Sequence, residues 1–367
     1  MLNNTPNVHG ADPAVRQSTS KKPFFMKNII AKSMVVAVAA ALTLTGCSQV
    51  IKTGANIGLK FAEGHIVPPI LTQSDTNMVC VSGTSLLPAI LATSAMGADA
   101  TNMAVLLYVG AASCAEDTAL EHELNYMRAS RAGKVEDAQD QRIAQKRWSA
   151  IAATRQYAAY QMFQETYERK YRIKLGEQCP TMRTDLDKTI YMLGMVAGLQ
   201  AVTNDIASQG AVNVPKDIAA VVERGMKCLD NEQFWGAPLA IRAAIWVLLP
   251  GAGEGKPDPW QTIKDSTRLG ERKGVRLSHA IYALAAQATG QDDKIRDALK
   301  TYGASVEQNM PVNPKYKLFD AMGGHQVWGI ADRYWTDKTG KRAPEDGLSK
   351  FWDESDVDTS KVDDLLN

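Results

Sequence analysis

Little in this chain announces chemistry. Its five histidines, His9, His65, His122, His279 and His325, include no HExxH pair to seat zinc on one helix face. Glu121-His122-Glu123 reads as a solvated helix face. Gly83-Thr84-Ser85 lacks the closing glycine of a nucleophile elbow. GAGEGK, Gly251 to Lys256, looks like a phosphate loop, yet Pro250 and Pro257 stand where that loop needs glycine and Ser/Thr. Basic and acidic side chains nearly cancel, 41 against 40, so there is no electrostatic footprint for nucleic acid. No segment alternates apolar and polar residues as a half-buried strand does. These absences predict a non-enzymatic, all-α chain with no metal, no cofactor and no nucleic-acid partner.

What is present is an address. Met26 to Cys47, MKNIIAKSMVVAVAAALTLTGC, has a lysine-bearing start, an apolar run from Met34 to Leu44, and small residues before a cysteine. That is the three-part layout of an export signal. The apolar run is about half of the roughly 20 residues a spanning helix needs. The ending Leu44-Thr45-Gly46-Cys47 resembles a bacterial lipobox, which implies acylation at Cys47 and cleavage before it. Residues 1–25 are polar and irregular and read as a disordered lead or a mis-called start, and 26–46 as the signal peptide. Removing 46 residues from 367 leaves 321, and the 41 basic and 40 acidic groups become 36 and 39. Ser48, rather than aspartate, follows the cysteine, which by the lipoprotein rule points to the periplasmic face of the outer membrane.

Beyond the signal, 47–76 reads as a lipidated N-terminus and tether, 77–340 as a helical domain, and 341–367 as an acidic mobile tail. Within the domain, apolar residues recur at three and four. The spacing predicts helices from Leu86 to Ala95, Asn102 to Ala132, Arg142 to Leu175, Thr181 to Ser208, Pro215 to Leu229 and Leu239 to Leu249. Pro259 to Arg272, Val275 to Ala288 and Asp293 to Val306 come next. Gly323-Gly324 then divides Tyr316 to Met322 from Val327 to Trp335. Helices in sequential pairs make stacked antiparallel hairpins, similar in plan to tetratricopeptide repeats. Setting Trp260 at the repeat's tryptophan puts Lys264, Thr267 and Arg276 at consensus positions they do not fit, so the repeats are non-consensus.

Four cysteines come after Cys47: Cys80, Cys114, Cys179 and Cys228. An even number in an exported chain predicts two disulfides. Of the three pairings, the local ones, Cys80 with Cys114 and Cys179 with Cys228, are favoured because each spans one helical hairpin. Two features are candidates for ligand binding. Gly194 and Gly198, one turn apart, clear side chains from a helix face and would let a ligand approach the backbone. Tyr191, Trp235 and Trp246, with Phe234 and Trp260, are the aromatic set that would line an apolar cavity.

The leader, the helical pairs and the stretch from Ser82 to Thr301 together resemble the T-component lipoproteins associated with TRAP-type transporters. The resemblance lies in Ser82-Gly83 to Leu87, the helix Ile190 to Val202 (IYMLGMVAGLQAV), the turn Phe234-Trp235-Gly236-Ala237-Pro238, and the stop Leu249-Pro250-Gly251 with Trp260 beyond it. It implies a lipid-anchored, periplasmic, tetratricopeptide-like protein that partners a periplasmic substrate-binding protein, helps deliver a hydrophobic ligand, and forms homo-oligomers. The alternatives are a structural scaffold lipoprotein of the envelope and a helical hydrolase of envelope polymers.

Overall fold

The computed structural model describes residues 49–354, and every regular element among them is helical. The leader, with Cys47, and the tail beyond residue 354 lie outside the described residues. The chain divides at Ile51/Lys52 into two compact units, the second of which holds the helical domain. A helix covers 49–65 (α1). After it come α2 (Val67–Leu71), α3 (Thr76–Ala95), α4 (Thr101–Arg131), α5 (Val135–Tyr171), α6 (Asp185–Ala207) and α7 (Ile218–Gly225). A 3-10 turn, Met226–Cys228, leads to α8 (Ala237–Leu248), α9 (Pro259–Lys273), α10 (Leu277–Thr289), α11 (Asp292–Glu307) and α12 (Lys317–Thr339).

The spine is the long α4–α5 hairpin. Its turn is three residues, with Gly133 left-handed at φ 71°. Helix α3 packs on the outside of α4, and α6 packs on α5. Both local disulfides form: Cys80–Cys114 ties α3 to α4, and Cys179–Cys228 ties the segment before α6 to the turn after α7, each with Cα atoms 5.2 Å apart. The crossing of α3 and α4 is closer than side chains permit. A Cβ on Gly83 would lie 2.3 Å from the Ala111 nitrogen, and one on Gly110 would lie 2.7 Å from the Val79 carbonyl oxygen.

Among the described residues two large hydrophobic cores are joined by two smaller clusters, one around Leu59 and Met103 and one around Leu87. The first gathers Tyr160, Phe163, Tyr167, Tyr191, Met195, Phe234, Trp235 and Phe319. The second gathers Trp246, Ile263, Tyr282, Leu299, Ile330, Trp335 and Phe351. The Phe234-Trp235-Gly236 turn feeds the first. Trp235 and Gly236 both take positive φ, and a side chain at Gly236 would meet the Ser266 carbonyl oxygen at 2.6 Å, so only glycine fits there.

Several expectations are corrected. The tether segment is helical over 49–65 and Val67–Leu71, and Leu59 and Val67 are buried against Ala98, Ala100 and Met103. Helix α3 starts ten residues earlier than its apolar run because Asp75 caps it, accepting from the Met78 amide at 3.0 Å. Pro88 therefore falls in the helix interior. Gly323-Gly324 does not break α12. Their bare faces seat the Leu277 backbone and the Tyr302 hydroxyl, so packing holds them helical. The first part of the acidic tail is also packed. Leu348 and Phe351 enter the second core, Trp335 Nε1 donates to the Gly347 carbonyl at 2.9 Å, and Arg296 pairs with Asp353 at 2.7 Å.

Candidate functional site

The aromatic and glycine set predicted to line a cavity fills the cores instead. Tyr191 is fully buried, and its hydroxyl donates to the Gly225 carbonyl at 3.1 Å. The face cleared by Gly194 is occupied by the Phe163 ring, which a Cβ there would meet at 2.3 Å; Gly198 receives Tyr160 in the same way. Trp235 is buried among Phe234, Tyr316 and Phe319, with ring centroids 4.7 to 5.8 Å apart. Trp246 is buried in the second core, and its Nε1 donates to Glu223 at 3.0 Å. None of these five residues faces an opening, because each aromatic found a protein partner first. Their sequence signal, aromatics and glycines at helical spacing, is the same for a core as for a cavity wall.

An open hollow of about 480 Å³ lies at the tip of the α4–α5 hairpin, which the sequence did not mark. Tyr126 and Ser130 come from α4, Gly133 from the turn, and Val135, Ile143, Arg142 and Lys146 from α5. Val135 and Ile143 are exposed aliphatics with nothing covering them. Arg142 stands 5.2 Å over the Tyr126 ring, and Lys146 donates to Gln209 at 2.9 Å, so both cations are held beside the hollow. The arrangement offers a shallow apolar seat with a cationic rim. That suits an aliphatic side chain flanked by carboxylates.

A polar seam runs along α4 toward α12. His325 and Asp117 are 2.7 Å apart, Arg333 and Glu123 2.7 Å, and Arg342 bridges Glu121 and Asp332. Beside them, Glu116 accepts from the amides of Gln156 at 2.8 Å and Asn204 at 2.7 Å, and burial pushes its carboxyl up from the usual range. His122 bonds to Gln141 at 2.8 Å and so stays on the helix face expected of it. His279 is fully buried, with Nε2 3.0 Å from the Glu271 carboxylate and its ring edge-on to Tyr302. Among the described residues no group of three His, Cys, Asp or Glu side chains is placed to hold a metal ion.

The Asp117 hydrogen bond raises the His325 pKa above its ordinary value, against the smaller opposing effect of burial; Asp117 and Glu116 are the charges that face it. A raised folded pKa contributes stability that is complete below the unfolded value of about 6.5 and is lost as pH rises through the folded value. The pair is nearly half-exposed, so the gain is at most about 1 kcal/mol. Chemical denaturation from pH 6 to pH 9 should show this decline, and Asp117→Asn should flatten it. An unchanged slope in that variant would assign the decline elsewhere.

Comparison with known proteins assigns no family: no protein-family model matches the chain, and neither the curated proteins nor the solved structures yielded a match.

Proposed function

We propose that the protein is a lipid-anchored adaptor of the bacterial envelope that binds a protein partner at the α4–α5 hairpin tip. The observation that carries this reading is the span of α4. Met103, near its start, packs against α1, the first helix after the lipobox. Tyr126, near its end, lines the hollow. At 1.5 Å per residue the two lie about 35 Å apart along one continuous helix. The helix thus separates an anchor end from a binding end, which is the geometry of an adaptor. The two disulfides fit an oxidising compartment.

The resemblance to T-component lipoproteins supplies the partner class, a periplasmic substrate-binding protein. The solid packing around Tyr191, Trp235 and Trp246 favours a protein partner over an enclosed hydrophobic ligand. A photo-reactive residue at Ile143 should give one discrete cross-linked protein in intact cells. Arg142→Glu should weaken that adduct at least tenfold, while a probe at the equally open Leu284 gives none. Identical patterns at Ile143 and Leu284 would sink the proposal.

A further inference from the structure

Exposed aliphatic and aromatic side chains are concentrated at one end of the described chain. Within 57–96, Ile57, Phe61, Ile66, Ile70, Met78, Val81, Leu86 and Met96 are all exposed, whereas eight others are spread over 97–354. In α1 the exposed stripe is Gly54, Ile57, Gly58 and Phe61, a spacing of three, four and seven, with Ile57 and Phe61 66% and 58% accessible. In α3 it is Met78, Val81, Ser85, Ala89 and Ala92, continued by Met96 at the C-cap, on a helix with no charged side chain from Thr76 to Ala95. Two described helices, α3 and α4, are long and apolar enough to cross a membrane. In α4, 56% of that apolar window is buried; in α3 only 11% is.

A soluble surface rarely leaves so much apolar area bare without a partner. We infer that the outward faces of α1 and α3 lie in the bilayer interface and contact acyl chains, making a second, non-covalent membrane contact. This rests on the proposed acylation of Cys47. Cys47 precedes Gln49 by two residues, and that length of chain reaches at most about 7 Å. A lipid surface held so near is present at an effective concentration on the order of millimolar or more, which no soluble partner matches. An acyl anchor alone holds marginally, and stable attachment takes a second signal. Helix α3 does not span the membrane, because its other side is fixed lengthwise to α4 through Gly83, the buried Leu87 and the Cys80–Cys114 bond, and α4 is packed in turn along the charged α5. It lies flat instead, with exposed Lys52 on α1 available to a lipid phosphate, while Lys60 pairs with Glu63 at 2.9 Å.

The full chain, expressed with its own leader and purified from membranes, should be reconstituted into phosphatidylethanolamine–phosphatidylglycerol vesicles. The vesicles carry a phospholipid with a diazirine in its acyl chain. After illumination, peptides covering 52–65 and 76–96 should carry at least tenfold more label than those holding Leu248 and Leu284, exposed aliphatics elsewhere on the surface. Met78→Glu with Val81→Glu should remove the label from 76–96 by a similar factor without changing the fold, since both side chains are exposed. Equal labelling everywhere, or a cross-link between two copies through α3 in place of lipid adducts, would overturn the inference. The mass of the N-terminal peptide reads the anchor separately. A chain without acyl mass that still labels on α1 and α3 refutes acylation of Cys47 and keeps the lipid face.

Discussion

Gly83→Leu should leave Cys80 and Cys114 unbridged. The new side chain would have to enter space where even a Cβ stands 2.3 Å from the Ala111 nitrogen and 2.6 Å from the Leu107 carbonyl oxygen. Both obstacles are backbone, so no rotamer relieves them, and α3 has to move off α4. Overpacking costs about 1–3 kcal/mol where side chains can shift, and more where they cannot. The expected loss is therefore at least about 3 kcal/mol by denaturant midpoint, with a further cost where the disulfide fails to close. Thiol titration of the unreduced protein should find two reactive cysteines that the parent chain hides. Gly58→Leu, on the open side of α1 with nothing within reach, should change neither reading. A bridged, stable Gly83→Leu protein would mean that α3 does not cross α4 at this point.

Asp320→Ala should be comparably damaging, by a different route. The Asp320 carboxylate is buried in the first turn of α12 and accepts from the Arg276 backbone amide at 2.8 Å and the Arg276 Nε at 2.9 Å, with Nη2 on its second oxygen. Asp320 is the main reason that the Arg276 guanidinium binds its proton more tightly than usual. Removing the carboxylate leaves a mostly desolvated cation and an unpaired amide at the start of α10. Breaking one partner of a buried pair costs about 3–5 kcal/mol. Asp320→Asn keeps an acceptor for the amide and should lose about half as much. Equal stability of all three proteins in guanidinium would show that solvent reaches Arg276 freely.

The helices were legible because their signals are local. Apolar spacing found α4 and α6 to α11 to within a few residues and missed the charged first two turns of α5, which starts at Val135 rather than Arg142; the even cysteine count pointed to two bridges, and hairpin locality favoured the pairing seen. What escaped depends on which residue meets which. Gly194 and Gly198 drew notice as a wall for a ligand, yet their neighbours are Phe163 and Tyr160, contributed by α5 from 31 and 38 residues earlier. Gly83 and Gly110 carry the tight crossing of α3 over α4, and the sequence does not show that they belong to one contact, because the two halves of the motif sit on different helices. Gly323-Gly324 carries a local breaking signal that tertiary packing overrides. Phe351 and Leu348 lie in a stretch whose acidic composition hides two apolar anchors. The hairpin-tip hollow left no sequence signal, since it is made by a turn bringing ordinary surface residues together.

The placing of the two disulfides bears on how the protein comes into being. Cys80, Cys114, Cys179 and Cys228 pair in the order in which they occur, first with second and third with fourth, so neither loop encloses the other. With Cys47 taken by an acyl chain, as proposed, a chain exported N-terminus first would present each cysteine's correct partner as the next one to arrive. Sequential oxidation would then yield the native pattern directly, with no need for an isomerase to reshuffle the bonds. Residues 229–354, which hold the second core, carry no cysteine at all, so both covalent ties precede that core in the chain.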